Sequence, residues 1–440
     1  MRIDELHIEN FKKFASLDID LNPHFTLLVG ENGSGKTTIL DALAVAAGIW
    51  LVNPPDSRLI NSGRNILMSE IRLEPQLRGD RTQFQEQYPV VIIAKGNIGD
   101  QEGLIWERQI PSDERLVSND EEALGALEEV KSIYWRASYG YDVLCPVLAY
   151  YGAGRAWQPS KYEWDSKHKP IGPARRWAAF EHCFDERIDF AELHKWFSRE
   201  TTERGNRGGE YRPGFEVVRR AVLACVPEAD GLWFDTDRDQ IVLSIQENAQ
   251  PFDNLSAGQR MMLALVADLA IKAVTQNAYL IPPYGLGPDD ELPEVLRETP
   301  GLVLIDELDV HLHPNWQRRI AADLKRTFPS IQFVCTSHSP QVIGELEPEE
   351  IRVYDEESKS WQRPDKSLGL DSSRILSEMM GAASRNEDEE IKLGKLAEAI
   401  DEEDFPEAEH LLTEVETHLG ENDPEVIRAR TLMTFLQDTK

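Results

Sequence analysis

The stretch Gly30-Glu31-Asn32-Gly33-Ser34-Gly35-Lys36-Thr37 follows the apolar run Phe25 to Val29 and precedes a helix-forming run through Ile39, Leu40, Leu43 and Val45. A strand, a glycine-rich loop and a helix in that order are what a nucleoside triphosphate requires. The glycines let successive backbone N–H groups converge on the phosphates at the positive end of the helix. Lys36 supplies a point charge for the β and γ oxygens, and the Thr37 hydroxyl suits Mg²⁺. A nucleotide-binding α/β chain is expected.

Composition sets the outer bounds. With 440 residues, 41% of them hydrophobic and 28% charged, the chain can build two or three packed units and has a globular make-up. Its longest apolar runs, such as Gly301 to Ile305 and Met261 to Ala273, are too short or too interrupted to cross a bilayer. The start at Met1 lacks a basic segment followed by an apolar one, so a cytoplasmic protein with no membrane contact is expected. Cys145, Cys183, Cys225 and Cys335 lie far apart without paired spacing, which suits buried small apolar residues better than a zinc site or a disulfide framework. A net charge of −31 repels polyanions at long range and argues against nonspecific nucleic-acid binding by a whole face. Local nucleic-acid contact stays open through three basic clusters: Arg72, Arg78 and Arg81; Lys161, Lys167, Lys169, Arg175 and Arg176; Arg204, Arg207, Arg212, Arg219 and Arg220. The plainer reading of each is solvated charge.

Residues 1–29 alternate as strands do, and residues 51–147 read as an antiparallel patch with a variable insertion and a helix near 120–131. Leu144 to Tyr151 is another buried-strand candidate, ended by Gly152-Ala153-Gly154-Arg155, and helices are expected over 187–202 and 214–226. Asn254-Leu255-Ser256-Ala257-Gly258-Gln259-Arg260 then opens a strongly helical stretch. Its serine and free N–H groups suit a phosphate, or simply cap a helix. Gly301 to Ile305 reads as a buried parallel strand that delivers Asp306 and Glu307 at its carboxyl end, where α/β sheets place ligands. Asp306 is placed to hold the Mg²⁺ shell and Glu307 to orient and deprotonate an attacking water. A helix from Pro314 to Thr327 leads to the strand Ile331 to Thr336, which sets His338 at the end of the neighbouring strand, ready to donate to the γ-phosphate or the water.

Together these elements resemble the ATP-binding-cassette superfamily in its soluble RecF/SMC/OLD-like branch, over residues 1–50 and about 250–355. The resemblance implies a P-loop NTPase fold, an ABC-ATPase-like mixed sheet flanked by helices. It makes Gly30 to Thr38 the Walker A loop, so that Asn32, Gly33, Ser34, Gly35, Lys36, Thr37 and Thr38 surround ATP. It makes Leu255 to Gln259 the signature, with Ser256, Gly258 and Gln259 as contacts and Ala257 where glycine is usual. Asp306 and Glu307 become the Walker B pair, Asp309 part of the D-loop and His338 the switch. The runs Asp306-Glu307-Leu308-Asp309-Val310-His311-Leu312-His313-Pro314 and Ala149 to Arg155 look like a subgroup of bacterial ATPases of the AAA_21/AAA_15 kind. Members of that subgroup resemble the ATPase subunits of phage-defence operons, Septu and retron-linked, which are partnered with an HNH nuclease. One departure is that no secure Q-loop glutamine lies between the first helix and the signature; Arg155 is read as contacting nucleotide or the lateral lobe, or as forming a surface salt bridge.

In the superfamily the signature of one copy caps the γ-phosphate held by another, which implies a head-to-tail dimer. The expected units are 1–155, a nucleotide-binding lobe; 156–275, a helical lobe with the signature; 276–375, the Walker B and switch part; and 376–440, an acidic helical tail resembling a fragment of a tetratricopeptide repeat. No sustained heptads separate Walker A from the signature, which excludes long SMC-type arms. His311 and His313 read as helix-entry and interface residues. Two functions follow: a regulatory ATPase acting on a separate nuclease, or a RecF-like clamp on DNA.

Overall fold

Two strands open the chain, β1 (Arg2–Phe11) and β2 (Phe14–Asp20), and β3 (Phe25–Val29) runs through the phosphate loop into helix α1 (Lys36–Ala47). The structure is a computed structural model describing residues 1–113, 123–156, 176–287 and 291–438, of which 60, 61, 155, 156 and 438 by backbone alone. After α1 come the hairpin β4 (Leu73–Arg78) and β5 (Arg81–Glu86), the longer pair β6 (Val90–Ile98) and β7 (Gln101–Ile110), helix α2 (Leu124–Ser138) and strand β8 (Val147–Tyr151). Helices α3 (Phe190–Asn206) and α4 (Pro213–Cys225) precede the meander β9 (Ala229–Asp235), β10 (Gln240–Ile245) and β11 (Asn248–Pro251). Then follow α5 (Ala257–Gln276), α6 (Glu294–Glu298), β12 (Gly301–Ile305), α7 (Pro314–Thr327), β13 (Ile331–Thr336), α8 (Pro340–Ile343), β14 (Ile351–Asp355) and β15 (Ser360–Gln362). These elements form one unit, Met1–Gly369; a second, Leu370–Lys440, holds α9 (Ser372–Met379), α10 (Glu387–Asp401), α11 (Phe405–Leu419) and α12 (Pro424–Asp438).

A six-stranded sheet in the order β15-β14-β3-β13-β12-β8 carries the chemistry, and all its neighbours run parallel except β14 and β15. β3, β8, β12 and β13 are buried along their whole length, so each reads in the sequence as a largely apolar run, broken by the hydrogen-bonded Thr26 and Gln332 and ended in β13 by Thr336. β13 lies between the phosphate-loop strand and the acidic strand, which brings three carboxyl ends to one edge. A four-stranded antiparallel sheet, β2-β1-β6-β7, covers the other side of α1. Every residue of α1 except Thr37 is buried, and Ala42, Ala44, Ala46 and Ala47 keep it thin enough for both sheets to close on it. The inward residues of β1 run Ile3, Leu6, Ile8 because a bulge between Ile3 and Glu5 shifts the alternation by one. Gly96 faces that bulge, where a Cβ would stand 2.0 Å from the Arg2 carbonyl oxygen.

Several boundaries differ from the sequence reading for identifiable reasons. β8 begins at Val147 rather than Leu144, because Pro146 has no N–H for the ladder. The helix expected near 120–131 is α2, beginning at Leu124, with 114–122 outside the described residues. The β4–β5 hairpin was not foreseen: Leu73, Leu77 and Phe84 are exposed, so no buried face gave it a pattern. In the second unit α10, α11 and α12 share a core of Leu396, Ile400, Ala408, Leu412, Val415, Val426 and Met433 with Ala399 and Ala429. Asp404 and Asp423 accept from the amides of Glu407 and Glu425, at 3.3 and 2.9 Å, and Gly420 takes φ 88°. Ile391 and Phe435 belong to the amphipathic pattern in the sequence, yet they are 51% and 66% exposed.

Candidate active site

The phosphate loop needs its glycines for geometry. Gly33 and Gly35 adopt φ 84° and 105°, and a Cβ on Gly35 would stand 2.4 Å from the ring of Phe14. Gly35→Ala is therefore expected to weaken nucleotide binding by about tenfold or more, read by equilibrium titration with a fluorescent ATP analogue. Lys36 Nζ donates to the carbonyls of Gly30 and Glu31, at 2.8 and 2.9 Å, folding back over its own loop. Burial lowers its pKa, and the carboxylates of Asp306 and Glu307 oppose that shift. Ser34 Oγ is buried and has no hydrogen-bond partner among the described residues. An orphan hydroxyl, a charged amine on temporary carbonyl partners and a loop of left-handed glycines fit a triphosphate.

β12 and β13 supply the opposite wall. Thr37 Oγ1 donates to Asp306 Oδ2 at 2.9 Å, placing a hydroxyl and a carboxylate together as hard oxygen ligands for Mg²⁺. Thr336, the last residue of β13, donates to Asp306 Oδ1 at 2.6 Å and accepts from the Glu307 amide at 2.7 Å. Glu307 itself sits at φ 51°, a left-handed conformation uncommon for a non-glycine residue, at the turn that ends β12. Asp309 accepts from Ser337 Oγ at 2.5 Å, which ties the turn after β12 to the end of β13. His338 is half-buried, and burial together with the Lys36 ammonium lowers its pKa against the pull of Asp309, Glu307 and Asp306. Its ring is therefore neutral at pH 7, with one nitrogen to donate and one to accept.

Lys36, Thr37, Asp306, Glu307, Asp309 and His338, drawn from three distant parts of the sequence, thus meet at one sheet edge. The α5 start is different. Ser256 is the exposed N-cap: its hydroxyl accepts from the Gln259 amide at 3.2 Å, and Gln259 Oε1 accepts from the Ser256 amide at 2.9 Å. Their partners are each other rather than the phosphate loop. Gly258 packs on the turn after Asp309, where a Cβ would stand 2.6 Å from the His311 carbonyl. His311 takes φ 63° in that turn, and His313 caps α7 by accepting from the Asn315 amide.

Sequence reasoning missed Thr336, Lys13 and Tyr354. Lys13 Nζ donates to the Gly33 carbonyl and lies 5.5 and 5.2 Å from the rings of Phe14 and Tyr354. A strand-turn lysine carries no motif, and only the fold sets it over the loop. Of the basic clusters, Arg212 pairs with Glu200 and Glu203, and Arg219 and Arg220 with Glu216. That cluster is largely neutralised internally. Arg78 and Arg81 face each other at the tip of the exposed hairpin. The Arg155 side chain and Lys161, Lys167, Lys169 and Arg175 lie outside the described residues. All four cysteines are buried and free, and no helix among the described residues is long and apolar enough to cross a membrane.

Comparison with known proteins matches both halves of the site. One family model, "AAA domain", matches residues 5–195, and a second, "AAA domain, putative AbiEii toxin, Type IV TA system", matches residues 244–344. The first segment contains the phosphate loop; the second runs from the α5 start through Asp306 and Glu307 to His338. The chain is 25% identical to the Retron Ec83 probable ATPase of Escherichia coli over 465 residues, covering 89% of this chain and 79% of that protein. It is 22% identical to the Retron Vc95 probable ATPase of Vibrio cholerae serotype O1 biovar El Tor over 418 residues, covering 81% and 74%. Against the Septu protein PtuA of Bacillus mycoides (strain KBAB4) it is 24% identical over 368 residues, covering 80% of this chain and 40% of that protein. With a phosphate loop on one parallel strand and an Asp-Glu pair two strands away, both inside these matches, the chain is an ATPase similar to AAA domains and to the probable ATPases of retrons.

Proposed function

We propose that two copies of this ATPase pair head-to-tail around MgATP, and that the pairing regulates a separate effector, a nuclease subunit of an anti-phage complex. The observation that carries the pairing is Ser256, an exposed helix cap whose partner within the chain is Gln259 and not the phosphate loop. A free N-terminal turn of that kind suits the γ-phosphate of a second copy. When the triphosphate enters, Lys36 exchanges the Gly30 and Glu31 carbonyls for phosphate oxygens, and Ser34 gains a partner. Thr37 and Asp306 would hold Mg²⁺, which neutralises phosphate charge. Glu307 accepts the proton of the attacking water, and the His338 ring donates to the γ-phosphate. Loss of the γ-phosphate removes contacts made only in the paired state, so the pair opens.

The effector reading draws on the relatives, whose names place them in retron and Septu systems, and on the net charge of −31. A second reading, a RecF-like clamp on DNA, draws on the exposed arginines at the hairpin tip. Copurification from the native operon tests the first: a nuclease that stays bound with MgATP, and phage protection that is lost with Lys36→Ala, are the expected results. Tight gel shift of bare duplex by the isolated chain at physiological salt, without a companion protein, would favour the clamp instead.

A further inference from the structure

Asp306 is tied by its backbone as well as by its carboxylate. Its amide donates to the Tyr151 carbonyl at the end of β8, 2.8 Å away, and the phenol of the same tyrosine donates to Asp268 Oδ2, 2.5 Å away, in the middle of α5. Lys272, one turn further along, also donates to Asp268 at 2.5 Å, so this carboxylate is gripped from two sides. The following residue leaves no slack. Gly152 donates its amide to the Glu186 carbonyl at 2.8 Å, and a Cβ there would stand 2.6 Å from the Glu186 carboxylate. Tyr151 is 2% exposed, packed among the parallel strands and the helix. α5 is buried on nearly every face, and its N-cap Ser256 stands twelve residues before Asp268 (268 − 256), or about 18 Å along the axis.

We propose that Tyr151 is a positioning residue that couples Asp306 to α5. Its carbonyl fixes the acidic strand end, and its phenol fixes the helix whose first turn carries Ser256; the consequence for turnover rests on the paired reading above. A charge-assisted O–H···O⁻ bond of this length is directional, so a displacement of Asp306 is passed to the helix rather than absorbed. β8 thus reports the state of one phosphate site to the turn that caps another.

Tyr151→Phe removes only the hydroxyl, and Asp268→Asn keeps an oxygen acceptor. Full-length wild type, both variants and Ser256→Ala are compared for MgATP turnover, KM, affinity for a non-hydrolysable ATP analogue and thermal midpoint. Tyr151→Phe is expected to lower kcat by about tenfold while KM and analogue affinity stay within about twofold, and Asp268→Asn, which takes the charge from the same bond, to lower kcat in the same direction by less. Wild-type kcat in Tyr151→Phe, or a parallel loss of analogue affinity or of thermal midpoint, overturns the coupling. Ser256→Ala separates the two readings. A slow Ser256→Ala beside a wild-type Tyr151→Phe sinks the coupling alone, whereas a wild-type Ser256→Ala sinks the paired reading and the role given to Tyr151 with it.

Discussion

Glu307→Gln is expected to lower ATP turnover by about 10²- to 10⁴-fold while leaving ATP bound, since general-base catalysis contributes on that order and the amide cannot accept the proton. The substitution is nearly isosteric, and the backbone that presents the side chain is held independently of it. The Glu307 amide donates to Thr336 Oγ1, which in turn donates to Asp306, and the φ of 51° belongs to the turn at the end of β12. Binding groups on the loop are untouched. On the proposed head-to-tail pairing, a retained γ-phosphate keeps two copies joined, so the variant is expected to accumulate as a dimer in MgATP. Sedimentation velocity with and without nucleotide, beside single-turnover hydrolysis, checks both halves. A variant that hydrolyses at the wild-type rate removes Glu307 from the role of base; one that is inactive yet stays monomeric, with no companion subunit restoring pairing, removes the dimer.

The parts of this site legible in the sequence are those whose physics is local. Phe25–Val29, Gly301–Ile305 and Ile331–Thr336 are strands with the limits read from their apolar runs, because a strand buried on both faces leaves a continuous signature and ends where its chemistry begins. Ser256 and Gln259 could be read as a cap because a serine followed three residues later by glutamine is a short-range pattern. Long-range pairs leave no such trace. Tyr151 and Asp268 are 117 residues apart, and nothing in Ala149-Tyr150-Tyr151-Gly152 distinguishes a phenol that grips a helix from one that fills a core. Thr336 read only as the end of a strand, although its hydroxyl joins Asp306 to the Glu307 amide. The β4–β5 hairpin escaped for the opposite reason: exposed on both faces, it lacks the burial that makes alternation informative.

Lys36→Ala is expected to weaken ATP binding by about 10²- to 10³-fold, about 3–4 kcal/mol, as loss of charge-assisted bonds to phosphate in a part-buried site implies. The fold should survive, because alanine suits the first turn of α1 and the carbonyls released at Gly30 and Glu31 remain within reach of solvent at the loop. A second readout separates charge loss from collapse of the loop. Burial and the Lys36 ammonium are the two leading causes that hold the His338 pKa below its ordinary value, with Asp309, Glu307 and Asp306 acting the other way. Removing the ammonium leaves those three carboxylates less opposed, so the His338 pKa must rise in the variant, and the ring must begin to protonate at a higher pH than in the wild type. An NMR titration of the labelled histidines without nucleotide measures this directly. An upward shift of His338 with unchanged thermal midpoint and lost ATP binding places Lys36 and His338 in one electrostatic site; no shift would mean that the two groups do not share it, and His338 would lose its place beside the γ-phosphate.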